Sequence, residues 1–178
     1  METFQPELWR DLYVMIGTSS AALIGLLYVV TSLHLDEIVN NLVYRTRARS
    51  NAIFLIVTLI ESALILMPQR TPLLGIELAA LNFFGWMFPI SNTYRFHFRR
   101  RDLGRQGDLS PYRASAFHGC FLLGIAGGVC VAVGPSWGMY LVTVSCVALL
   151  VIVAMNAWSI MLGIGQDEVS AKGRSEKG

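Results

Sequence analysis

Apolar residues occupy long stretches of the chain, and polar ones are confined to short breaks between them. A helix needs about 20 mostly apolar residues to cross a hydrocarbon core about 30 Å thick. Five stretches meet that demand: Leu12 to Leu35, Ala52 to Met67, Leu73 to Tyr94, Ala114 to Val133 and Trp137 to Ile164. The pattern predicts an all-α, polytopic membrane helix bundle with five transmembrane helices within residues 1–165, and a polar tail over 166–178. The second stretch is short, which requires an upright helix or a locally thin bilayer. Pro68-Gln-Arg-Thr-Pro72 breaks it from the third, and Gly134-Pro135-Ser136 divides the fourth from the fifth. Between the first two, Leu35, Ile38, Val39, Leu42 and Val43 keep helical spacing. That segment either prolongs the first helix or lies on the membrane surface.

Charge fixes an orientation. Arg45, Arg47, Arg49, Arg95, Arg99, Arg100, Arg101, Arg105, Arg113, Lys172, Arg174 and Lys177 all fall on one side of a five-span layout, leaving only Arg10 and Arg70 on the other. Basic residues mark the cytoplasmic side. The N-terminus is therefore expected outside and the C-terminus in the cytoplasm, which an odd number of spans requires. The first residues lack the basic start of a signal peptide, and the first apolar stretch is longer than a signal core, so it reads as a retained span. Trp9, Tyr13, Trp137 and Tyr140 are expected in an outer aromatic belt, and Tyr44, Tyr94, Tyr112 and Trp158 in an inner one.

Composition agrees with the pattern. Of 178 residues, 54% are hydrophobic and 15% charged, and the mean hydropathy is +0.53. Soluble domains carry about 25% charged residues, so a disordered chain, a nucleic-acid-binding domain and an ordinary soluble enzyme are excluded. Arg95-Phe-His-Phe-Arg-Arg-Arg101 would suggest nucleic acid in a soluble protein. Beside a membrane it reads as contact with anionic lipid, through Arg99, Arg100 and Arg101.

Two carboxylates fall inside spans, Glu61 in the second and Glu77 in the third. They flank the hairpin at Arg70 nearly symmetrically, so antiparallel helices bring them to one depth. Thr58 and Ser62 share the face of Glu61. Ser19 and Ser20 of the first span, with Thr143 and Ser145 of the fifth, add a polar layer in the outer third. An intramembrane carboxylate is a candidate for binding a proton or a small cation. The competing account is structural: a glutamate near the surface reaches headgroup water, or pairs with Arg70. Further in, Asn82, His118 and Asn156 form a group of inner-side polar candidates, with Pro89 and Asn92 on the face of Asn82.

The remaining motifs carry little chemistry. Cys120, Cys130 and Cys146 lie within spans and form no CxxC pair, so a disulfide or thiolate metal site is not expected. His118 alone stands well inside a span, and a bis-histidine haem site needs two; neither cofactor nor metal is expected. Phosphate loops, nucleophile elbows and HExxH are missing from the sequence, so no catalytic residue is assigned. Ala116, Cys120, Gly124, Gly128 and Ala132 recur every fourth position, a stripe that lets a second backbone approach. It serves packing within the chain or between copies. Five short spans bury little surface per chain, so a homo-oligomer is expected.

Ser19-Ser-Ala-Ala-Leu-Ile-Gly-Leu-Leu27 and Ser32-Leu-His-Leu-Asp-Glu-Ile38 resemble the opening of a group of small five-span bacterial membrane proteins. Glu61-Ser-Ala-Leu-Ile-Leu-Met-Pro-Gln69, Leu74-Gly-Ile-Glu-Leu78 and Asn156-Ala-Trp158 are similar to its later parts. The group has no established activity, so the resemblance implies a multi-pass place in the bacterial inner membrane and assigns no site. Two functions lead, an oligomeric channel or transporter for protons or a small cation, and a non-catalytic accessory protein binding a partner through its helix faces and basic loop; a membrane enzyme or electron carrier ranks third.

Overall fold

The structure is a computed structural model, and it describes the backbone of residues 6–99, 111–135 and 137–175. Among these, six helices form: α1 (Pro6–Leu33), α2 (Leu35–Asn40), α3 (Leu42–Leu66), α4 (Thr71–Arg99), α5 (Pro111–Val133) and α6 (Gly138–Ser175). The chain is all-α as the pattern predicts. Four helices are long and apolar enough to cross a membrane among the described residues: Trp9–Leu33, Tyr44–Leu66, Ser115–Val133 and Gly138–Ser159. The expected third span falls on α4, which is outside that set of four, although it is a 29-residue helix packed against α3 and α5.

Boundaries depart from the sequence reading where a helix carries charge. The second span is short in the sequence because its apolar run begins only after Arg45, Arg47 and Arg49. Arginine is a good helix former, and α3 runs through all three, giving 25 residues. The polar tail is likewise helical as far as Ser175, continuous with α6. The amphipathic segment after α1 becomes a separate six-residue helix, α2, whose Ile38 is buried against Ala48 and Tyr44 of α3.

α6 shows how the bundle is sided. Met139, Val142, Cys146, Leu149, Val153 and Asn156 recur at helical spacing and are buried. The opposite face, Tyr140, Val144, Val147, Val151, Met155 and Trp158, is exposed and equally apolar. Such an exterior is a liability in water and the natural surface of a helix in lipid. α3 is the central helix, touching α1, α2, α4 and α6.

α4 and α5 make the most extensive contact in the bundle, and glycines allow it. A Cβ on Gly75 would run into the Ala132 backbone, and one on Gly128 would stand 2.6 Å from the Ala79 nitrogen. In lipid, where no hydrophobic gain drives helices together, such close backbone approach supplies the dispersion energy of packing. The α5 stripe is thus used inside the chain at Gly124, Gly128 and Ala132. Gly134 turns α5 toward α6 with φ of 121°, a conformation that side chains other than glycine's avoid.

Two apolar clusters fill the interior. One, around Tyr13, Ile16, Leu78, Val142 and Cys146, lies toward the hairpin end. The other, around Phe54, Leu55, Phe121, Leu149 and Val153, lies deeper, with the Phe54 ring 5.4 Å from that of Phe121 and 4.7 Å from that of Phe117.

Candidate functional site

Glu61 sits where α3, α4 and α6 converge, and its residue exposure is 0%. Its carboxylate accepts two hydrogen bonds from side chains of other helices. Asn82 of α4 donates Nδ2–H to Oε1, and Cys146 of α6 donates its S–H to Oε2 across 3.0 Å. The Asn82 amide also donates to the Leu78 carbonyl one turn back, at 2.9 Å, so the side chain is anchored to its own helix. Its Oδ1 is buried with no hydrogen-bond partner, beside Gly124 of α5, where a Cβ would collide with the amide. Four helices therefore shape the site: α3 brings the acid, α4 and α6 the donors, and α5 the space.

Neutral groups surround this carboxylate. Both hydrogen-bond donors are uncharged, and Tyr13 of α1 packs in the same cluster as Cys146. The Tyr13 hydroxyl lies 2.8 Å from Thr143 Oγ1. Thr143 spends its one proton on the Met139 carbonyl at 2.8 Å, so Tyr13 is the donor of the pair. Among the described residues no group of three or more His, Cys, Asp or Glu side chains is placed to hold a metal ion.

The sequence-selected residues separate into those the fold gathers and those it disperses. Thr58 and Ser62 are buried next to Glu61 along α3, but each donates its proton to a carbonyl four residues back, Phe54 and Thr58 respectively, both at 3.0 Å. Ser20 is buried and ties α1 to α3 through the Leu55 carbonyl at 2.7 Å. Ser145 does the same between α6 and the Cys120 carbonyl of α5, also at 2.7 Å. Ser19 is exposed, a quarter-turn off the packed face, and takes no part.

Glu77 is half-buried and supplies neither of the bonds that hold Glu61. One of its oxygens is shielded and has no hydrogen-bond partner. Arg70 is exposed in the turn, and the partners of Glu61 are Asn82 and Cys146, not this guanidinium. Asn82, assigned by depth to the inner group, belongs instead with Glu61. The reason is side-chain direction. A helical Cβ points toward its own helix N-terminus, so in antiparallel neighbours Glu61 leans away from the hairpin and Asn82 leans back toward it.

The inner-side candidates form separate pairs. His118 accepts the Trp86 indole N–H on Nδ1 at 3.0 Å, a satisfied hydrogen-bonding histidine. Asn156 of α6 approaches Asn51 of α3 at 3.4 Å, and the Asn51 amide nitrogen is buried without a partner. The apolar layer of Phe54, Phe121 and Leu149 separates these amides from Glu61. The side chains of Pro89, Asn92 and Arg99, and the whole of Arg100 and Arg101, lie outside the described residues.

Two members of the site were missed in the sequence. In the sequence Cys146 is one of three thiols within spans, and Tyr13 belongs to the expected outer aromatic belt. Tyr13 is 0% exposed, and Trp9 stacks edge-on with Tyr140 above it, their rings 4.8 Å apart. The spacing of Val142, Cys146 and Leu149 on one face of α6 is the signal that points the thiol inward.

No protein family, curated protein or solved structure matches the chain. The function rests on the chemistry of the site alone.

Proposed function

We propose that the protein is a five-span membrane protein of the bacterial inner membrane, N-terminus outside, that moves protons, or a small cation, with Glu61 as the binding group. The observation that carries this reading is a completely buried carboxylate held only by neutral donors from two other helices. Burying a lone charge away from water costs several kcal/mol or more. A charge kept in such a place is matched by whatever binds it, and an acid with no charged partner among its bonds is suited to take up and release a proton.

The donors around Glu61 favour the proton over a metal cation. A hard cation requires several oxygens converging on one point, whereas this carboxylate is met by an N–H and an S–H. A protonated carboxyl needs an acceptor instead. Asn82 carries one on the same amide, its unpartnered Oδ1. Rotation of that amide exchanges donor for acceptor at Glu61, at the expense of the bond to Leu78. Toward the hairpin end, Tyr13 and Thr143 continue the polar path; toward the arginine end, Phe54 and Phe121 close it. Transport requires that this aromatic layer part or become wet.

A homo-oligomer and anionic lipid at the basic cytoplasmic loop complete the reading. The alternative, an accessory protein docking a partner through its helix-packing faces and basic cytoplasmic loop, has less support from the small-residue stripe, because Gly124 and Gly128 are already covered by α4. Reconstitution of the full chain in liposomes with an internal pH dye decides between them. Wild-type protein is expected to collapse an imposed proton gradient faster than empty liposomes, and Glu61→Gln to abolish the difference. Flux equal to that of empty liposomes, or unchanged in Glu61→Gln, overturns the proposal.

A further inference from the structure

An apolar groove opens on the side of the bundle between α1 and α6, at the end where α2 and the start of α3 lie. Leu23 and Val30 of α1, Ile38 of α2, Ala48 of α3, and Ala154 and Met161 of α6 line it. The lining's one hydroxyl, Thr31, is turned back on the Leu27 carbonyl at 2.7 Å. The groove exists because α1 and α6 make little contact with each other, each packing chiefly on α3 or α5. Leu26 and Met161, both on its rim, are 57% and 47% exposed, so it is open toward the bilayer. From Val153 to Met161 it follows α6 for about 12 Å at 1.5 Å per residue, within one leaflet's share of a core about 30 Å thick.

The Ala48 end of the groove is marked by charge. Arg45 and Arg49, four residues apart, share an exposed face of α3, and Ala48 of the lining stands one turn after Arg45 and flanks that face. Arg47 lies on the same first turns of α3. An apolar channel that ends beside the exposed Arg45 and Arg49 matches a molecule with a hydrocarbon tail and an anionic head.

We propose that the groove holds one acyl chain of an anionic phospholipid from the leaflet at the arginine end, its phosphate set against Arg45 and Arg49. The site is independent of Glu61, which lies beyond the Phe54 and Phe121 layer. It is distinct from the basic loop, since it requires both the groove and the arginines.

The test uses the full-length protein in mild detergent, with phosphatidylglycerol and phosphatidylcholine of identical chains as probes, read by thermal unfolding and by native mass spectrometry. Phosphatidylglycerol is expected to raise the unfolding midpoint more than phosphatidylcholine does. Arg45→Gln with Arg49→Gln is expected to weaken phosphatidylglycerol binding about tenfold and to leave phosphatidylcholine unchanged. Ala154→Phe, at an exposed position of the lining, is expected to weaken both lipids by filling the groove. Arg70→Gln, at the opposite end of the bundle, is expected to change neither. Equal response to the two lipids, equal loss in the Arg70 variant, or binding indifferent to Ala154→Phe overturns the proposal. The arginine and Arg70 variants alter exposed side chains only, so their results stand even where Ala154→Phe perturbs folding.

Discussion

Asn82 on α4 donates its amide N–H to the carboxylate of Glu61 on α3, across the interior of the bundle. This bond joins the two arms of the helical hairpin at a depth where water is absent from both side chains, each 0% exposed. Its loss is expected to be asymmetric. Asn82→Ala leaves a buried carboxylate oxygen without a donor, at a cost of roughly 1–3 kcal/mol. Glu61→Gln keeps a carbonyl for Asn82 to bind, and is expected to change stability by less than about 1 kcal/mol. Unfolding in mixed micelles, followed by circular dichroism, checks both. A Glu61→Gln protein as unstable as Asn82→Ala would show that the charge itself holds the fold, contrary to the neutral surroundings described above.

The glycines at the α4–α5 contact differ sharply from Gly25 in α1. Gly128 abuts the Ala79 backbone, whereas nothing lies within 4 Å of a Cβ built on Gly25. Gly128→Leu is expected to push α4 off α5 and to destabilise the protein by several kcal/mol, in line with about 1–3 kcal/mol for ordinary overpacking and more where backbone meets backbone. Gly25→Leu is expected to be neutral or mildly stabilising, since the helix gains about 1 kcal/mol of propensity and the new side chain faces lipid. Thermal unfolding of the two variants in one detergent separates them. Similar losses would place the helix contacts elsewhere than on the α5 stripe.

The bundle was legible from period and charge, and the site only in part. Helical spacing of apolar residues, with prolines and glycines at the breaks, marks each long helix, because in lipid a segment must satisfy its own backbone. The ends were less legible: Arg45 to Arg49 interrupt hydrophobicity without interrupting α3, so polarity and helix ending are separate questions. Glu61 stood out because an intramembrane acid is rare. Its partners did not. Matching depth by counting from the turn selected Glu77, while the lean of side chains toward their helix N-termini selects Asn82. A thiol and a phenol are common in spans, so Tyr13 carried no signal of its own and Cys146 only its spacing with Val142 and Leu149, which marks it as inward-facing but names no partner. Only the convergence of α1, α3, α4 and α6 gives them a role.

The three cysteines report on the same interior. Cys146 is 0% exposed and bonded to Glu61, Cys120 is buried at 8%, and Cys130 is only partly buried. Thiol modification requires access to the sulfur. With N-ethylmaleimide in mild detergent, Cys130 is expected to label first and Cys146 last, and Cys146 in the folded protein only as fast as unfolding exposes it. Mass spectrometry of the peptides gives the order. Early labelling of Cys146 would mean that solvent reaches the Glu61 site in the resting fold.

Gly124 links the packing of α5 to the chemistry of Glu61, and a single methyl group tests the link. A Cβ at this position would overlap the Asn82 amide, which has its bonds to Glu61 and Leu78 on the other side. The amide has no room to retreat, because moving toward α3 compresses the hydrogen bond and moving away breaks it. Gly124→Ala is therefore expected to reproduce Asn82→Ala, with a loss of roughly 1–3 kcal/mol and with reduced proton flux, although Gly124 has no side chain to offer the site. Gly119, on the same helix, has nothing within 4 Å of its Cβ, so Gly119→Ala is expected to be neutral or stabilising by up to about 1 kcal/mol. The decisive measurement is the double variant Gly124→Ala with Asn82→Ala. Removing the amide vacates the space the methyl group needs, so the second substitution is expected to add little to the first. Full additivity would mean that the two residues act independently, and would detach the α5 glycine from the carboxylate site.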